Sequence, residues 1–149
     1  MSDLAVVTQD KIDEYERILG QQPQVDLNTT HVLSGEIYSR TIFIPAGVSL
    51  VGAIHKKDHI NIMVGDITVT TDTGMKRLTG YNVFPTKAGI RRVGFAHQDT
   101  YWTSVIHTKE TELEKIEEDI TPDSHKLQTR KLKLVPSNTT YLEGESPCL

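Results

Sequence analysis

The chain has 149 residues and carries 16 basic against 20 acidic side chains, a formal net charge of −4. Apolar residues make up 37% and charged residues 24%, enough to close one core and too polar for a protein that lives within a bilayer. Ordinary glycine and proline content excludes collagen-like and wholly disordered chains, and the acidic balance argues against coating nucleic acid, which needs a basic face.

The first segment, residues 1–24, is expected to be a short amphipathic helix and a linker. Thr8 or Asp10 can cap it, Ile12, Tyr15, Ile18 and Leu19 fall at near-helical spacing, and Gly20 with Gln21-Gln22-Pro23 ends it. Its acids and its lack of a long apolar run do not read as a signal peptide. No run approaches the ~18 apolar residues of a membrane span. The sole cysteine, Cys148, cannot form an internal disulfide or a thiolate metal cluster. A reducing setting follows, either a cytoplasm or a virion assembled in one, and not secretion; neither a membrane nor a nucleic acid is expected as partner.

From residue 25 to residue 107 the pattern becomes β. IYSRTIFI, VSLVGAI, INIMV, ITVTT, YNVF, RRVGFA and YWTSVI are short runs rich in β-branched and aromatic residues. Turn signals separate them: Pro45-Ala46-Gly47, Lys56-Lys57-Asp58, Gly65-Asp66, Thr73-Gly74, Pro85 to Gly89 and Gln98-Asp99. Short strands at this rhythm with no helix between them predict an antiparallel sandwich or barrel. Residues 108–121 turn acidic and helical, with Thr108 or Thr111 as cap, Leu113, Ile116 and Ile120 on one face, and the acids on a solvated outer face. Residues 122–149 read as an extended or disordered tail, mildly basic through Lys126, Arg130, Lys131 and Lys133, and either an arm for a partner or a loose terminus.

Within the β region, His55 and His59 flank the charged turn Lys56-Lys57-Asp58. The expected geometry is a hairpin with one imidazole near the end of each strand. Two neutral imidazoles converging there can ligate Fe, Mn, Ni or Zn, and Asp58 is the local carboxylate that could complete the set. The opposing reading makes them surface or structural histidines beside a turn. Tyr38 and Arg40 share one face of a strand, where packing or a surface pair is expected. Trp102 reads as a core or interface anchor, and Arg91 and Arg92 beside Lys87 as a basic spot too small for nucleic acid.

An IPAG turn, a histidine cluster, an apolar strand ending in Gly65-Asp66 and then a Pro-to-Gly turn resemble the two-motif pattern of the cupin superfamily, a small jelly-roll β-barrel. Asp58, seven residues before Gly65, falls where that family has its glutamate, and Arg92, three after Gly89, where it has its last metal-binding histidine. Closer still, EIYSRTIFIPAG, IHKKDHINIM, AGIRRVGFAHQDTYWTSVIH and TELEKIEEDI resemble small cupin-like proteins encoded by tailed bacteriophages, over about residues 1–121. The resemblance implies a cupin-type antiparallel β-barrel, a phage origin and a homo-oligomer built by edge-strand addition. An arginine offers a metal no lone pair, so Arg92, with Arg91, would favour an anionic ligand instead.

Three functions follow. The first is a non-catalytic phage accessory or virion-associated scaffold, contacting virion or host proteins through its tail. The second is a module that sequesters a small anionic metabolite or nucleotide through Arg92 and Arg91. The third is a metal-dependent oxygenase or sugar isomerase on His55, His59 and Asp58.

Overall fold

The computed structural model describes residues 8–71, 73–127 and 139–141. Helix α1 spans Gln9–Gly20, and the Thr8 hydroxyl oxygen caps it by accepting from the Lys11 amide at 3.3 Å. Ile12 is its buried residue. Seven strands follow: β1 Thr30–Ser34, β2 Ile37–Ile44, β3 Ser49–Val51, β4 His59–Thr71, β5 Gly74–Thr86, β6 Val93–His107 and β7 Thr139–Tyr141, with helix α2 at Leu113–Ile120 before β7.

The strands form one sheet in the order β5-β4-β6-β2-β1-β7, with β3 attached to β6 off that path. All pairings are antiparallel except β1–β7. The mainly β, antiparallel architecture with two flanking helices is therefore as expected. The expected closed barrel is not: among the described residues no pairing joins β5 to β1 or β7, so the sheet stays open. The long β6 instead links two halves, pairing with β3 through its first residues and with β2 from Thr100 onward.

Two predicted turns lie inside strands. Gly65-Asp66 sits in β4 and Gln98-Asp99 in β6, facing each other across a register shift between Val64 and Asp66. Gly65 has φ 145°, and a Cβ there would lie 2.7 Å from the Asp99 carbonyl oxygen. The Thr100 hydroxyl accepts from the Asp66 amide at 3.1 Å and donates to the Gln98 carbonyl at 2.9 Å, so the bulge supplies the bonds that the ladder loses. Pro85, expected in a turn, lies in β5 opposite Ile60; an edge strand can spare the missing amide. Residues 74–80, outside the strand runs expected from the sequence, form the first half of β5.

Side chains alternate across the sheet outside the bulge. One face carries Ile44, Met63, Ile67, Val69 and Ala96 as a buried core, with Ile42, Leu50, Phe84 and Trp102 packed against it. A second cluster joins Tyr38 and Ile106 to Ile116 and Ile120 of α2, with Leu113 beside them as the sequence spacing predicts. Neither expected threonine caps α2. Its N-cap is Glu112, and Thr108 is buried, donating to the Asp119 carboxylate at 2.8 Å. The acidic face of α2 is not wholly solvated: Glu117 is 3% exposed.

Of the tail, residues 139–141 add a short parallel strand to β1 of their own chain. Arg130, Lys131, Lys133 and Cys148 lie outside the described residues.

Candidate functional site

The core face of the sheet, α1 and the segments after α2 border an open cavity of about 720 Å³. Residues of β2, β3, β4, β5 and β6 line its walls, Glu16 and Leu19 of α1 border it, and Thr121 and Lys126 stand beyond α2. One wall is apolar, with Ile42, Ile44, Leu50, Ile67, Val69 and Trp102. Trp102 meets Phe84 edge-on at 5.4 Å between ring centroids, which fixes the indole plane.

Next to it, on the same sheet face, runs a polar and internally bonded strip. The Ser104 hydroxyl donates to the Asn61 side-chain oxygen at 3.0 Å, and the Asn61 amide nitrogen donates in turn to the Thr86 hydroxyl. Arg92 donates to the same Thr86 hydroxyl at 3.2 Å and to the Thr70 carbonyl at 3.1 Å, with its guanidinium carbon 5.7 Å from the Phe84 ring centre. These residues come together because β4 and β6 register Asn61 opposite Ser104 while β5 places Phe84 opposite Asn61 and Thr86 opposite His59.

His59 opens β4, and His55 lies in the loop before it. That loop is not a hairpin tip, because β3 pairs with β6 and not with β4. The loop is pinned elsewhere. The Lys56 amide donates to the Ile120 carbonyl at 2.7 Å and the Gly89 amide to the His55 carbonyl at 2.9 Å. The Lys57 ammonium reaches both the Asp119 carboxylate at 2.6 Å and the His107 carbonyl at 2.9 Å. The two imidazoles consequently meet, with ring centroids 4.4 Å apart.

Both rings are held neutral. Burial pushes the His55 pKa down to about 4, helped by the nearby His59 and Arg40. Burial lowers His59 as well, against the opposing effect of its bond to the Lys57 carbonyl, with Arg92 adding to the depression. Its Nδ1–H is the donor in that 2.9 Å contact, which leaves the Nε2 lone pair as acceptor.

Two predicted site residues lie elsewhere. Asp58, in the loop just before β4, points away to the surface, accepting from the Ala88 amide at 2.8 Å and facing Lys87 at 3.9 Å. Arg91 is committed to structure. Its side chain is 5% exposed, and it binds Asp13 at 2.8 Å, Glu16, and the Gly52 carbonyl at 3.2 Å, fastening α1 to the sheet. Arg40, expected in packing or a surface pair, lines the cavity with Glu117 as its carboxylate partner at 3.4 Å.

A metal centre does not fit these residues. His55 and His59 are two potential ligands, and no group of three His, Cys, Asp or Glu is assembled among the described residues. A protein zinc site takes three or four such ligands. His31 is buried against the Tyr38 hydroxyl at 2.6 Å, His97 bonds Thr68 at 2.7 Å, and His107 bonds Glu36 at 2.8 Å. None of these three supplies the missing ligand.

No protein-family model matches the chain, and no curated protein matches it. Among solved structures it is similar to protein NMB1881 from Neisseria meningitidis, with TM-score 0.47 and 7% identity over 63% of this chain and 95% of that one. A cupin-2 domain protein from Shewanella frigidimarina gives TM-score 0.45 and 7% identity, covering 63% and 92%. KdgF from Halomonas sp. gives TM-score 0.44 and 14% identity, covering 52% and 74%. One of these three, and others among the similar structures, are cupin proteins; likeness at this level carries no activity over to this chain.

Proposed function

We propose that the chain is a non-catalytic binding module that holds one small organic anion, a carboxylate or phosphate with an apolar body, inside its cavity. The observation that supports this is the mixed lining of the cavity, in which apolar residues around Trp102 adjoin the Arg92–Thr86–Asn61–Ser104 strip. A guanidinium set among neutral donors favours a negative headgroup, and neutral imidazoles beside it add donors and acceptors without adding charge. Such a volume suits one small ligand.

Thermal unfolding in the presence of benzoate, hexanoate and inorganic phosphate tests the reading. At a concentration near 100 times its Kd, a bound probe stabilises the fold by about 2.7 kcal/mol, or roughly 8 °C for a chain of this size. Arg92→Met should remove the shift. A melting point that none of the probes moves, or a shift that survives in Arg92→Met, refutes the assignment.

The accessory-scaffold reading, with a tailed-phage origin, takes its support from the strings EIYSRTIFIPAG and AGIRRVGFAHQDTYWTSVIH and does not conflict with ligand binding. Its test is the presence of the chain at fixed copy number in purified particles. The metal-dependent enzyme is not supported, since the donor set stops at two imidazoles.

A further inference from the structure

The face of the sheet opposite the cavity is apolar over much of three strands. The register lays Tyr81, Val64 and Tyr101 side by side across β5, β4 and β6, with Val83, Ile62 and Thr103 in the next row and Pro85, Ile60 and Val105 beyond. No charged side chain lies in these three rows. Tyr81 is 69% exposed and Tyr101 54%, while Ile60, Val64 and Val83 are each about half exposed. Asp66 and Arg77, past the bulge, are engaged with each other at 2.7 Å, and Asp58 and Lys87, just beyond the Ile60 and Pro85 row in the chain, face each other at 3.9 Å.

From this face we infer that two copies of the chain pack against each other, outer sheet on outer sheet, as a two-fold dimer. The area suits that occupant. With aromatic side chains of roughly 150–250 Å² each, the two tyrosines leave about 250 Å² in water, and the aliphatic residues add a comparable amount. The sum, on the order of 500 Å², is near the upper end for a monomer's largest patch and matches the apolar share of a standard interface of about 800 Å² per partner. A charge-free patch is also self-complementary, since a two-fold axis brings each surface onto itself and like charges there would repel. The edge of β5 is the poorer route to association: Pro85 interrupts its donors, and Lys76 and Arg77 stand exposed along it.

Sedimentation equilibrium of the full chain over about 1–200 μM tests this, with Tyr81→Lys and Val83→Lys as separate variants. Both positions are exposed on an edge strand, and circular dichroism melting confirms that each variant is folded. The wild type is expected to sediment at twice the chain mass, and either lysine to weaken association by more than about 100-fold by placing an unpaired ammonium in the contact. A wild type that stays monomeric throughout overturns the proposal, whatever covers the face. A dimer that both variants retain overturns it as well, and assigns association to another surface.

Discussion

Acid should loosen this fold through two buried histidines. Burial holds both His31 and His55 down to about 4 from the ordinary 6.5, with Arg40 adding to each and His59 to His55. A base with a depressed folded pKa stabilises the native state while it is neutral. That contribution is complete above pH 6.5 and is lost as pH falls toward 4, because the unfolded chain takes up the proton first. At about pH 5 nearly every unfolded imidazole is protonated and about a tenth of the folded ones are, which costs about 2 kcal/mol per histidine. The pair therefore removes about 4 kcal/mol from a total of about 5–15 kcal/mol. His59, also lowered by burial, adds to the loss in the same direction, while the carboxylates of Asp66 and Asp119, kept below the usual range by their bonds to Arg77 and Lys57, titrate lower.

Urea unfolding near pH 7.5 and near pH 5 reads the loss directly. His31→Phe fills similar space and cannot titrate. It is weaker at both pH values because the Tyr38 hydroxyl loses its partner, but its pH-dependent loss should be about half that of the wild type. Equal wild-type stability at the two pH values, or an undiminished loss in His31→Phe, would refute the reasoning. So would a ring resonance of His31 or His55 that titrates with a midpoint above about 6.

Three further outcomes follow from the packing. Glu117→Ala strands Arg40, 12% exposed, without its carboxylate, and calorimetry should show a loss of about 3 kcal/mol, near 9 °C in Tm; a shift under about 2 °C means the pair contributes nothing. Gly65→Ala meets the Asp99 carbonyl oxygen and should lose more than about 2 kcal/mol, whereas Gly80→Ala, at φ 73° with open space around it, should lose about 1 kcal/mol. Equal losses at the two glycines would remove the steric account of the bulge. Arg91→Met should raise hydrogen exchange in α1 more than about tenfold while leaving β4 unchanged, and a uniform rise would show that the arginine does not fasten the helix specifically.

Local patterns carried much of this architecture into view. The Thr8 cap, the strand IYSRTIFI and the Leu113–Ile116–Ile120 stripe are legible because each depends on neighbours within a few residues. Errors arose where polar residues sit inside strands. Gly65-Asp66 and Gln98-Asp99 look like turns until a bulge satisfies their backbone, and residues 74–80 look like loop because an edge strand exposes one face. His55 and His59 do meet, but through a loop pinned by distant residues and not through the expected hairpin, while Asp58 is drawn to the Ala88 amide and Arg91 to a helix about 75 residues earlier in the chain. Asn61, Thr86 and Ser104 gave no signal, because ordinary polar residues become a strip only when three strands set them in register.

Arg91 and Arg92 are neighbours in the chain with different duties. The first is bonded to the helix that borders the cavity, while the second lines the cavity and is held by Thr70 and Thr86. The bonds that fasten the helix and those that hold Arg92 against Thr70 and Thr86 therefore share one stretch of backbone, and a substitution at either arginine reaches the other through a single peptide unit.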